Sequence, residues 1–202
     1  MLKELYNLAQ DIHFTFEKHR LGYFIDFGTA VGAIRHGGII PWDDDLDIVI
    51  KDEDEALFLG KVRDELSKNK DIKIVNGSVD GIWDYKLVDN SKNSKHYLAC
   101  DVFVIQFDKS RNIFTFRNKN LKYLWPHEYS ETVLHPMLRK FGSFQMRILP
   151  SEAYDHFNDW YGKSWKNIGM TARYDHRADQ HLIPMAFQIP KSLKIHFNQS
   201  FS

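Results

Sequence analysis

The sequence has one cysteine, no tract of 18 apolar residues, no excess of charge of either sign and no glycine- or serine-rich run. Each absence removes a class of protein. A lone cysteine, Cys100, cannot close an internal disulfide, so the chain is not a disulfide-stapled domain. Without a long apolar tract no membrane-spanning helix is expected. The segment MLKELYNLAQDIHF lacks the apolar core of a secretory signal, which makes a reducing cytoplasm the expected compartment. Twenty-seven basic side chains balance 27 acidic ones, so no general field attracts nucleic acid or an anionic membrane. Any charge must act locally. With neither linker nor internal repeat, the 202 residues read as one globular unit with a sizeable core.

What is present is a mixed pattern. Leu2, Leu5, Leu8, Ile12 and Phe16 recur at helical spacing, with Gly22 as a stop. YFIDF, residues 23–27, reads as a short strand ending at Gly28-Thr29, followed by the glycine-bearing stretch AVGAIRHGG. Asp52 and Glu55 resemble a capping box ahead of a helix over about residues 53–69. Extended segments follow at 71–75, 82–89, 97–107, 112–117 and 141–149, and then an amphipathic helix with Ser151 as N-cap and Gly162 as its end. This predicts an α+β fold with a mixed sheet flanked by helices. Residues after about Thr171 show no period.

The charge is concentrated in PWDDDLDIVI, residues 41–50. In a strand, Asp45 and Asp47 share one face about 6–7 Å apart, while Leu46, Ile48 and Ile50 occupy the other. An acidic solvated turn is the plain reading. Asp47, however, is followed at once by three aliphatic residues, and an uncompensated charge inside a strand costs several kcal/mol. A bound cation removes that cost. Asp101 poses the same problem inside YLACDVFVIQF: either a buried Lys or Arg pairs with it, or it joins Asp45 and Asp47 as a third ligand for Mg²⁺ or Mn²⁺. Calcium in an EF-hand register is excluded because Ile48 and Asp54 fall where Gly and Glu are required. Upstream, Gly28, Thr29 and Gly32 offer close backbone approach and a hydroxyl, and Arg35 offers a planar fork for phosphate oxygens. Lys86, inside IWDYKLV, is either a further phosphate contact or a snorkelling surface lysine. His36, Trp42, Asp43 and Asp44 read as supporting residues, and the histidines show no zinc-helix spacing.

The stretch GTAVGAIRHGGIIPWDDDLD, residues 28–47, resembles the signature of LicD-family phosphotransferases, which include the fukutin-related proteins and belong to the nucleotidyltransferase superfamily. PSEAYDHFNDWYGKSW, from Pro150 to Trp165, is similar to that family's proline-led helix ending in YGxxW. The resemblance implies a nucleotidyltransferase-like domain over residues 1–170, with 171–202 an extension packed on it or partly irregular. It implies Asp45, Asp47 and Asp101 as metal-holding catalytic carboxylates, with Asp101 also a candidate general base or metal-bridging group and a second metal position completed by it. Gly28, Thr29, Gly32, Arg35 and Lys86 are the expected substrate contacts. The implied reaction is metal-dependent transfer of a phosphorylated group, phosphocholine or a phospho-polyol, from a CDP-alcohol donor to a carbohydrate hydroxyl. A DxD-type glycosyltransferase using a nucleotide sugar, and a non-catalytic nucleotide-binding relative, are the alternatives.

Overall fold

The computed structural model describes residues 1–77, 81–90, 98–170, 174–175, 180–181 and 185–190. The chain opens with α1, Leu2–His19, whose Leu5, Leu8, Ile12 and Phe16 are buried. It ends at Arg20, which adopts the left-handed conformation that closes a helix. Strand β1, Tyr23–Ile25, is followed by α2, Phe27–His36, and then β2, Asp45–Lys51. The next helical region is broken: a 3₁₀ turn Asp52–Asp54, a single turn α3, Glu55–Leu57, a π segment Phe58–Val62 kinked at Gly60, and α4, Arg63–Lys70. Strands β3, Ile72–Asn76, β4, Tyr85–Asp89, β5, Ala99–Asp108, and β6, Ile113–Phe116, lead to α5, Lys119–Leu124. After β7, Glu128–Ser130, come β8, Met137–Phe141, and β9, Phe144–Ile148, and then α6, Phe157–Trp160. Beyond them β10, Ile168–Met170, pairs with β13, Ala186–Gln188, and β11, Tyr174–Asp175, with β12, Gln180–His181.

Among the described residues, the main sheet has nine strands, in the order β3-β4-β5-β2-β1-β9-β8, with β6 pairing β5 and β7. Strands β2 and β5 run parallel and β4 and β5 antiparallel, so the expected α+β class with a mixed sheet is what the chain forms. Several local expectations differ. The glycine-bearing stretch is a helix, because Asp26 ends β1 early and its side chain accepts the Phe27 N–H. A residue that caps a helix in this way stops a strand, whatever the pattern around it. Asp52 makes no cap, and Glu55 instead binds Arg117 Nη1 at 2.7 Å and the Tyr85 hydroxyl. Ser151 lies in a 3₁₀ turn flanked by Pro150, while Gly162, at φ +78°, ends the helical segment as expected. Most of the segment after residue 171 lies outside the described residues. No helix among them is long and apolar enough to cross a membrane.

Asp26 fixes where α2 starts. Its carboxylate is wholly buried and also accepts the Tyr129 hydroxyl. Phe27, the first helical residue, has φ +47°, a left-handed value that disfavours any side chain with a Cβ. Its ring packs against Phe103, Phe116, Trp125 and Trp160, and that packing offsets the strain. Burial pushes the Asp26 carboxyl up to about 6, against the lowering effect of its two hydrogen bonds. A carboxyl raised in the folded state holds its proton more tightly than the unfolded chain does. Stability from this group is therefore present at low pH and lost as pH climbs from about 4 through about 6. Asp26→Asn cannot ionise. Relative to wild type it should gain roughly 2–3 kcal/mol between pH 4 and pH 7, read by urea unfolding at both values, and an unchanged difference contradicts the assignment.

Candidate active site

Three adjacent strands build the site. The parallel register of β2 and β5 sets Asp45 beside Ala99 and Asp47 beside Asp101, and the antiparallel register of β4 and β5 sets Lys86 beside Asp101. Residues in register point to the same face of a sheet, so Asp47, Asp101 and Lys86 form one rung. A carboxylate oxygen from each of Asp45, Asp47 and Asp101 lies within 4.8 Å of the others. That is closer than one pleat repeat, because the side chains lean together. Asp43, Asp44 and Asp45 form a second such group at the mouth.

The electrostatics follow from burial of like charges. Burial pushes the Asp47 carboxyl well up, and Asp45, Asp101 and Asp43 add to the rise. Asp43 is likewise pushed well up, by burial first and then by Asp45 and Asp44. Three oxygen donors in this proximity suit a hard divalent cation such as Mg²⁺ or Mn²⁺, whose charge removes the repulsion.

Helix α2 joins the acids to a cavity. Its Thr29 is buried and braces Asp47 from two directions. Thr29 Oγ1 accepts the Asp47 N–H at 2.7 Å, and the Thr29 N–H donates to Asp47 Oδ2 at 3.3 Å. Thr29, expected at a substrate phosphate, is thus engaged with the carboxylate itself. Gly28 is the contact point between acids and cavity: a Cβ there would stand 3.3 Å from Asp43 Oδ2 and 3.5 Å from Asp47 Oδ2. Asp43 therefore reaches the site more directly than a merely supporting residue would. Gly32 faces elsewhere. A Cβ on it would meet Gly38 O at 2.5 Å, so its missing side chain admits the 38–40 backbone and not a ligand.

Gly28, Val31 and Arg35, on one face of α2, line a cavity of about 460 Å³ together with Trp125, Trp160, Tyr161 and Trp165. Arg35 is buried and donates Nη1 to Trp165 O at 2.9 Å and Nε to His36 Nε2 at 2.8 Å. Burial brings its guanidinium down to about 10. The YGxxW residues Tyr161 and Trp165 therefore form a wall of this cavity. The Tyr161 phenol is pushed well up by burial first and then by the charges of Asp47, Asp26 and Asp43. Lys86, open in the sequence between a phosphate contact and a surface lysine, is neither exposed nor snorkelling. It is 8% exposed and its Nζ lies 2.8 Å from Asp101 Oδ1. Asp101 thus has both a lysine partner and a place among the three carboxylates. Sequence spacing also gives no sign of the stacked pair His127 and His156, with ring centroids 3.5 Å apart, which packs against Trp160. Burial lowers these imidazoles to about 4 and about 3, so both are neutral at pH 7.

The family model for LicD/FKTN/FKRP, nucleotidyltransferase domain, matches residues 20–148, which contain β1, α2, β2, β4 and β5 and hence all three carboxylates. The chain belongs to the LicD/FKTN/FKRP family. It is 31% identical over 159 residues to the uncharacterized protein RP689 of Rickettsia prowazekii (strain Madrid E), covering 78% of this chain and 53% of that one. It is 25% identical over 158 residues to the lipopolysaccharide cholinephosphotransferase LicD of Haemophilus influenzae (strain ATCC 51907 / DSM 11121 / KW20 / Rd), covering 68% and 59%. The chain spans about half the length of the curated relatives it matches. Among solved structures it is similar to the antibiotic-resistance factor ANT(2'')-Ia, at TM-score 0.46 and 13% identity, covering 81% of this chain and 76% of that one.

If this LicD-family site depends on Thr29 to hold Asp47, Thr29→Val should leave the buried Asp47 N–H without its acceptor. The expected cost is about 1–3 kcal/mol, measured by urea unfolding, with Thr29→Ser close to wild type. Equal stability of all three proteins contradicts the brace.

Proposed function

We propose that this chain carries the catalytic domain of a transferase that moves a phosphorylated group from a nucleotide donor of the CDP-alcohol type to a hydroxyl of a glycan. The observation that carries the reading is the convergence of Asp45, Asp47 and Asp101 within 4.8 Å at the rim of an aromatic cavity. The curated relative named as a cholinephosphotransferase supports the same class. The all-oxygen donor set fits Mg²⁺ or Mn²⁺, and the raised carboxyl of Asp47 is the mark of a site short of positive charge. A divalent cation held there would neutralise charge on the donor's phosphates as the phosphorylated group leaves.

The chain's own residues supply positioning. Asp45 and Asp47 project from one strand and Asp101 from its parallel neighbour, so the sheet fixes their spacing before any ligand arrives. Thr29 prevents Asp47 from turning away. Arg35, in the cavity wall, offers charge for a phosphate oxygen entering past Gly28. The tryptophans and Tyr161 take the organic part of the substrate and keep water from it.

Melting temperatures measured with CDP-choline, CDP-ribitol, CDP-glycerol, ATP and UDP-sugars, each with Mg²⁺, test the donor class. A CDP-alcohol should raise the melting temperature and, with a glycan acceptor, release CMP. Stabilisation by a UDP-sugar alone, with glycosyl transfer, would show a glycosyltransferase. Metal without nucleotide should itself stabilise by about 2.7 kcal/mol at 100 times its Kd. Asp47→Asn should lose that increment while being, in EDTA, at least as stable as wild type, because one repelling charge is gone. Identical melting of wild type in EDTA and in millimolar Mn²⁺ contradicts the metal site.

A further inference from the structure

Beside the aromatic cavity lies a second one of about 310 Å³, and Trp165 is a wall of both. The floor of this second cavity is apolar: Ile34, Ile148, Leu149 and the rings of Tyr154 and Trp165, of which all but Ile34 are buried. The Tyr154 hydroxyl is engaged elsewhere, donating to Ile25 O at 2.8 Å and accepting the Leu149 N–H at 3.2 Å, so the residue offers the cavity only its ring. The rim is polar. Arg139, Lys166 and Asn158 bring donors to it, and Asp155 and Ser151 bring acceptors. The Lys166 ammonium stands over the Trp165 ring, 5.4 Å from its centroid. Charge around the rim cancels, because Glu152, which accepts the Ser151 hydroxyl at 3.3 Å, joins Asp155 against the two cations.

Resting on the reading of a glycan acceptor above, we propose that this second cavity is a sugar-binding subsite, which holds an uncharged sugar unit of the acceptor other than the one that reacts. A sugar presents apolar C–H faces and a belt of hydroxyls, each able both to donate and to accept. Its complement is an apolar floor inside a rim of mixed donors and acceptors. An apolar ligand would take water from the rim and leave its polar groups unpaired, and an ion would meet no net charge. The aromatic cavity differs in kind. Arg35 is the one charged residue among the described residues of its wall, so a sugar unit buried there would leave most of its hydroxyls without partners. Position agrees with this division. On α2, Ile34 lies six positions beyond Gly28, about 9 Å along the axis, so a unit resting on Ile34 stands away from the acids and is not the one attacked. One segment serves both cavities: Trp160 and Tyr161 line the first, Asp155 and Asn158 the second, and Trp165 both. The stretch from Pro150 to Trp165 thereby holds the two pockets side by side.

The test is saturation-transfer NMR on the whole chain, with the methyl glycosides of glucose, galactose, N-acetylglucosamine and N-acetylgalactosamine as probes. At least one of them should show saturable binding. Asp155→Ala combined with Asn158→Ala, both at exposed positions where substitution leaves the fold intact, should weaken that binding at least about tenfold. The same double variant should keep the wild-type rise in melting temperature with CDP-choline and Mg²⁺, because neither residue lines the aromatic cavity. Sugar binding by the double variant with the wild-type Kd overturns the proposal, and so does the absence of saturation transfer from all four probes. Either result leaves the donor reading intact if CDP-choline still stabilises the chain. Sugar binding that is lost in the double variant, in a chain that no CDP-alcohol stabilises, overturns the donor reading and supports the subsite.

Discussion

The repulsion between Asp47 and Asp101, set side by side by the parallel pairing of β2 and β5, is the constraint around which the rest of the site is arranged. Two carboxylates in register on neighbouring strands, with Asp45 one pleat away, would drive those strand ends apart if nothing opposed them. The opposing forces are visible. Leu46, Ile48 and Ile50 bury the other face of β2, and Cys100, Val102 and Val104 do the same for β5, so the hydrophobic core holds the strands in the register that places the acids together. The neighbours of the acids are chosen to the same end. Thr29 donates to Asp47 from one side, and Lys86 screens Asp101 from the other.

Helix α2 makes that charged rung usable. It starts at Phe27 because Asp26 caps it, and its first turn brings Gly28 against Asp43 and Asp47 while the face carrying Val31 and Arg35 forms a wall of the aromatic cavity. The stretch from the cap to Arg35 is only three helical turns long. It therefore couples three things that are far apart in sequence: the acids of β2, the lysine–aspartate pair reached through β5, and the tryptophans contributed by residues 125–165. The hydrogen bond from Arg35 to Trp165 O ties the last of these to the helix.

The site is also graded in how firmly each member is held. Asp47 and Asp101 lie within paired strands and have specific partners, and their positions are fixed by backbone geometry. Asp43 and Asp44 belong to the turn between α2 and β2, where the backbone N–H of Asp43 bonds Ile40 O. Trp42 packs its ring against His36 and Phe187. The inner acids are thus preorganised by the sheet, and the outer ones by a loop resting on aromatic packing.

The sequence alone determined the class of fold and the three carboxylates. Alternation fixes which residues of DLDIVI share a face, and a charge followed by three aliphatics cannot be left uncompensated, so Asp45, Asp47 and Asp101 stand out without any structure. The broad order of helices and strands was legible for the same reason, since period is a local property. Local pattern could not show that Asp26 would end a strand and begin a helix, turning the expected glycine loop into α2. Nor could it show that Gly32 serves backbone packing, that Glu55 binds Arg117 and Tyr85, or that Tyr161 and Trp165 line one cavity with Gly28 and Arg35. Above all, it could not say which cation meets Asp101. Lys86 is 15 residues away in sequence and adjacent in space because an antiparallel register, set by the burial of Tyr85 and Leu87, chooses that pair out of several possible ones. Register is a property of two strands together, and only the tertiary structure decides it.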